Sequence, residues 1–122
     1  MDWKIELVAI PVTDVDRAKD FYTKIGFNAD HDHRVDESLR FVQLTPPGSG
    51  CSICIGEGLT DAAPGSVEGM QVVVASAEDA YQQLVAAGVE ASPVVDMGWG
   101  LFTFFTDPDG NKWAVQELPK RD

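Results

Sequence analysis

Residues 4–12 place Val8, Ile10 and Val12 on one side of an extended chain and Leu7, Ala9 and Pro11 on the other, the two-residue period of a strand. The period then lengthens. Thr13-Asp14 offers an N-cap, residues 14–25 carry an apolar stripe of Val15, Ala18, Tyr22 and Ile25, and Gly26 stands where a helix-ending glycine belongs. Strands are predicted at Phe27 to about His33, at Leu39–Thr45 and at Cys51–Gly56, the last two flanking the turn Pro46-Pro47-Gly48-Ser49-Gly50. A Pro- and Gly-punctuated stretch over about 58–66 separates this half from a second one of the same plan. There a strand over 67–74 leads through Ser76, a second N-cap, to a helix over 77–87 with the stripe Ala77, Ala80, Leu84 and Ala87, ended by Gly88. Strands at about 89–95, 101–106 and 112–118 complete it, the last two joined by Asp107-Pro108-Asp109-Gly110-Asn111.

The two halves are copies. Residues 5–27 recur at 67–89 with a constant offset of 62, so that Glu6, Val12, Ala18 and Gly26 face Glu68, Val74, Ala80 and Gly88. Each copy is too small to bury a core alone. The expected architecture is one α+β domain over 1–122: two tandem βαβββ modules, about 4–57 and 67–118, in a shared curved sheet with helices outside.

Composition narrows the function. A net charge of −11 argues against nucleic acid and against anionic membrane surfaces. No stretch reaches the ~20 apolar residues of a membrane span, and the start lacks the order of a signal peptide, so a cytoplasmic location is expected. Cys51 and Cys54 are spaced C-x-x-C, which invites a redox or zinc reading, but residues three apart on a strand point to opposite faces.

Val12-Thr13-Asp14-Val15-Asp16-Arg17-Ala18-Lys19-Asp20-Phe21-Tyr22, followed by Gly26-Phe27, resembles the V-x-D-x-x-R-x-x-x-F-Y first helix of the vicinal oxygen chelate superfamily. Asp107-Pro108-Asp109-Gly110-Asn111 resembles that superfamily's turn before its last strand. The group holds glyoxalase I, extradiol dioxygenases, fosfomycin-resistance thiol transferases and bleomycin-resistance proteins. The resemblance implies a cup and a homodimer. In metal-dependent members it also implies one metal ligand on the first and last strand of each module. Those positions correspond here to Leu7, Cys54, Gly69 and Ala114, three of which have no donor atom, so neither a metal nor another cofactor is expected.

Strand alternation turns Leu7, Ser52, Cys54, Gln71, Ala114 and Gln116 toward the cup, with Phe41, Gln43, Phe102 and Phe104 beside them. Trp99, between two glycines, is placed as a lid, and Trp113 in the core. An apolar wall with a few amides suits a flat or greasy ligand. The leading expectation is therefore metal-free binding or sequestration of an amphipathic, cationic or aromatic small molecule. The alternative is a glyoxalase-like lyase or isomerase, or a dioxygenase, metal-dependent if the strand register differs, or metal-free with His33 or Cys54 as acid, base or nucleophile. His31 and His33 also fit a polar edge strand, and Asp107 and Asp109 fit a turn that bonds its own backbone.

Overall fold

The computed structural model describes residues 1–120. The first half runs β1 (Leu7–Ala9), α1 (Val15–Lys24), β2 (Asn28–Asp36), β3 (Leu39–Thr45) and β4 (Ser52–Glu57). The second runs β5 (Met70–Val74), α2 (Ala77–Ala86), β6 (Val95–Asp96), β7 (Leu101–Thr106) and β8 (Lys112–Glu117). Hydrogen bonds divide the strands by half into two four-stranded sheets, sheet A in the order β1-β4-β3-β2 and sheet B in the order β5-β8-β7-β6. The two orders are the same topology written twice. In each, the first strand pairs parallel to the last and the remaining pairs are antiparallel. The α+β tandem βαβββ architecture is as expected. Its sheet is hydrogen-bonded as two separate halves, joined through side chains.

Helix ends follow local chemistry. Asp14 accepts from the Arg17 N–H and Ser76 from the Asp79 N–H, each satisfying an orphan donor of the first turn. At the far end of α1 the chain turns through Gly26 at φ +109°, which lets Phe27 N–H reach the Tyr22 carbonyl at 3.0 Å.

Four predicted strands differ in extent, the one expected over 67–74 beginning only at Met70. The strand expected over 4–12 is only Leu7–Ala9. It is an edge strand, and Pro11 has no N–H to continue the ladder. The strand expected over 89–95 is reduced to a bridge between Ala91 and Phe105 and the pair Val95–Asp96. Pro93 interrupts it, and the Ser92 hydroxyl instead accepts the Phe104 N–H at 2.9 Å. The strand expected to end near His33 runs on to Asp36, with a bulge between Ala29 and His31.

The helix-facing sides of both sheets meet in one core. Ile10, Val42, Leu44, Ile53 and Ile55 from the first half pack in the same cluster as Leu84, Phe105, Trp113 and Val115 from the second. Tyr22, fully buried, sits at the junction. Its hydroxyl donates to Asp107 Oδ2 at 2.7 Å and accepts from Trp113 Nε1 at 3.0 Å. The Asp107 carboxylate also accepts from the backbone of Asp109 and Asn111, as a turn aspartate does. Asn111 Nδ2 is spent on Asp107 Oδ2 and on the Pro11 carbonyl, and Thr13 donates to Asp109 Oδ1. The turn read as local is thus a clasp between the halves. Among the described residues, no helix is long and apolar enough to cross a membrane.

Candidate functional site

Each sheet has one face covered by its helix and the shared core, and one open face. Pairing register identifies the open face of sheet A. Leu7 stands beside Ser52, Ala9 beside Cys54, Gln43 beside Cys54, and Phe41 beside Gly56. The bulge in β2 adds His31 beside Gln43 and His33 beside Phe41, since residues directly opposite on antiparallel strands share a face. A hydrogen-bonded chain crosses this face: Gln43 Nε2 to Ser52 Oγ at 3.2 Å, Ser52 Oγ to Thr45 Oγ1 at 2.6 Å, and Thr45 to the Asp30 carboxylate.

On sheet B, Gln71 stands beside Ala114, Val73 and Phe102 beside Gln116, and Phe104 beside Ala114. Phe102 and Phe104 stack with centroids 5.7 Å apart and planes 7° apart, and Trp99 meets Phe102 edge-on at 6.3 Å. Phe102 is buried, whereas Phe104 is 37% and Trp99 62% exposed, so the platform is open to solvent. Gln71 Nε2 donates to Gln116 Oε1 at 2.6 Å, and Gln116 Nε2 donates to the Trp99 carbonyl at 2.8 Å. That last bond fixes the base of the Gly98-Trp99-Gly100 loop while its indole remains outside.

The residues read from sequence as one lining therefore form two constellations. Leu7, Phe41, Gln43, Ser52 and Cys54 lie on sheet A, and Gln71, Trp99, Phe102, Phe104, Ala114 and Gln116 lie on sheet B. Among the described residues, no side-chain hydrogen bond joins one set to the other. A cleft of about 510 Å³ opens at one end of sheet B, floored by Phe104, Ala114 and Trp113 and rimmed by Glu68, Glu90 and Lys112. A second, of about 240 Å³, lies between the halves against Ile25, Phe27, Pro46, Val72, Leu84 and Phe105, and includes none of those residues. Sequence reasoning missed Asp30 and Thr45, because Asp30 is the unpaired residue of the β2 bulge and its carboxylate reaches Thr45 from there.

The chelating positions can be checked by register. Ala9 pairs with Cys54 and Gln71 pairs with Ala114, and Ala9 and Gln71 are equivalent by the 62-residue offset. Cys54 and Ala114 are thus equivalent positions. With Leu7 and Gly69 alongside, the set offers one thiol, which does not fit a divalent ion. Among the described residues, no three His, Cys, Asp or Glu side chains stand close enough to hold one. Burial pushes the Cys54 thiol pKa up, away from the thiolate a nucleophile needs. Cys51 and Cys54 are both free, and the Cys51 thiol points to the Ser52 carbonyl at 3.5 Å.

Residues 4–115 match the family model described as the Glyoxalase/Bleomycin resistance protein/Dioxygenase superfamily. The chain belongs to this superfamily. It is similar in sequence to the uncharacterized protein YetH of Bacillus subtilis, at 30% identity over 119 residues, with 93% of this chain and 98% of YetH covered. Among superfamily folds, it is similar to TnmS3, an antibiotic binding protein from Streptomyces sp. CB03234. The two share 27% identity and a TM-score of 0.88, covering 97% of this chain and 98% of TnmS3. A superfamily member from Sphaerobacter thermophilus is 30% identical with a TM-score of 0.84, covering 95% of this chain and 98% of the other.

Proposed function

We propose that the protein binds a small amphipathic aromatic molecule without a metal, as a binding or sequestering protein rather than an enzyme. The observation that carries this reading is the aromatic cluster on sheet B, in which Phe104 and Trp99 stay exposed against a buried Phe102. An exposed aromatic platform costs solvation free energy that a flat ligand recovers by stacking. The similarity to TnmS3, itself an antibiotic binding protein, supports the same class. The Glu68 and Glu90 carboxylates at the rim of the neighbouring cleft, in a chain of net charge −11, favour a cationic compound. The poor donor set at the chelating positions supports metal independence.

The active form is proposed to be a cytoplasmic homodimer. Outside the aromatic platform, Trp3 and Ile5 are 88% and 74% exposed, apolar area that a second copy would cover. Two free thiols fit a reducing compartment.

The test is calorimetric titration of untagged protein with cationic polycyclic aromatic compounds, alongside elemental analysis and mass determination in solution. Saturable binding that falls at least tenfold in Trp99→Ala, with no stoichiometric metal, is expected. Mass determination should give twice the 13.2 kDa of the chain. Stoichiometric Ni, Zn, Fe or Mn with turnover would replace this reading with the enzyme alternative.

A further inference from the structure

The glutamines of the two open faces are not free to point either way. On sheet B the Trp99 carbonyl can only accept, so the atom of Gln116 that lies 2.8 Å from it is the amide nitrogen. Gln116 Oε1 then faces Gln71 and accepts from its Nε2 at 2.6 Å. Gln71 is left with its carbonyl oxygen at the untethered end, and among the described residues that oxygen accepts no hydrogen bond.

Sheet A repeats this logic from a different anchor. The Asp30 carboxylate accepts the single Thr45 hydroxyl proton. Ser52 must therefore be the donor in its 2.6 Å contact with Thr45. With the Ser52 proton spent, the atom of Gln43 at 3.2 Å from Ser52 Oγ must also be a donor, its amide nitrogen. Gln43 Oε1 is consequently the untethered end, again with no donor among the described residues. Each chain begins at an obligate acceptor and ends in an exposed or half-buried amide carbonyl. Each glutamine keeps a second N–H, but on the nitrogen already held by the protein. Among the described residues, no Lys or Arg side chain bonds to either chain.

We infer that the two open faces select ligands carrying N–H or O–H donors on an aromatic body, over ligands whose polar atoms only accept. This rests on the small-molecule reading above and adds the polarity of the ligand to it. The preference is separate from net charge, because Gln43 and Gln71 are neutral and act at contact distance.

The test uses two neutral probes, 2-naphthol and 2-methoxynaphthalene, which differ by one donor, titrated by calorimetry at fixed ionic strength. One neutral hydrogen bond corresponds to about a fivefold difference in Kd. Wild-type protein is expected to bind 2-naphthol about fivefold more tightly, although the ether is the greasier molecule. Gln43→Met and Gln71→Met, each checked for an unchanged circular dichroism spectrum, are expected to bring the ratio toward one, singly or combined. Equal affinity in wild type, preference for the ether, or a ratio untouched by both variants would overturn the donor preference while leaving the aromatic site intact. Failure of both probes to bind would overturn the small-molecule reading and this inference with it.

Discussion

Replacing Tyr22 by Phe removes one oxygen atom and leaves two buried partners altered. Asp107 loses a charge-assisted hydrogen bond of 2.7 Å, worth about 1.5–3 kcal/mol. Trp113 Nε1–H, in a side chain that is 2% exposed, loses its acceptor at a cost of about 1–3 kcal/mol. The two losses share one atom and do not add in full, so about 3 kcal/mol is expected, a large part of a typical total of about 5–15 kcal/mol. Urea denaturation followed by far-ultraviolet circular dichroism measures it. Tyr81→Phe serves as control: Tyr81 is half-buried with no side-chain hydrogen bond among the described residues, and should change stability by less than about 0.5 kcal/mol. Alkaline pH adds a second signature. Burial, and then the neighbouring Asp107 charge, push the Tyr22 phenol far above its ordinary value of 10.0. The folded state thus holds this proton more tightly than the unfolded chain. The associated stability is complete below about pH 10 and falls by up to about 1.4 kcal/mol per unit as the pH rises above it. The gap between wild type and Tyr22→Phe should therefore narrow above pH 10. A cost below about 1 kcal/mol at pH 7, or a gap independent of pH up to 12, would refute the clasp as the junction's main polar support.

Two further outcomes are expected. Gly65→Ala should destabilise by about 2–3 kcal/mol in the same assay, because at φ +80° a Cβ there would stand 2.2 Å from the Asp109 carbonyl oxygen, which is backbone and has little room to yield. Asp32 accepts from Arg40 Nη2 at 2.8 Å and from Lys19 at 2.9 Å, and the first of these more than the second holds its carboxyl well below the usual carboxylate range. Asp32→Asn should then cost about 1 kcal/mol at pH 7, a cost that shrinks as the pH falls below about 4, where the unfolded carboxylate protonates first; urea midpoints at pH 7 and pH 3 check it.

Most of the fold was legible because period and punctuation agreed. The stripe Val15, Ala18, Tyr22 and Ile25 is buried, and Asp14, Ser76, Gly26 and Gly88 sit at the helix ends they signalled. The strand expected at 89–95 fails at Pro93, whose missing N–H cannot continue a ladder. Alternation also found which residues share a face, since it needs only a local period. It did not find that the lining splits between two sheets, because how the halves pack depends on contacts such as Tyr22–Trp113 that are far apart in sequence. Asp30 was out of reach for another reason: a bulge shifts alternation by one residue and leaves no mark in the composition.

The clasp has a consequence for how the chain is made. It joins Pro11, Thr13 and Tyr22 to residues 85–100 positions further on. A polypeptide emerging from the ribosome cannot shelter its early tyrosine until nearly the whole chain has been synthesised. Until then Phe21, Tyr22 and Phe27 wait beside an unfinished surface, and a product truncated before Asp107 lacks Asp107 and Trp113, the hydrogen-bond partners of that tyrosine. Premature termination near the end of the message should therefore yield a species for chaperones and proteases, with no functional half-molecule.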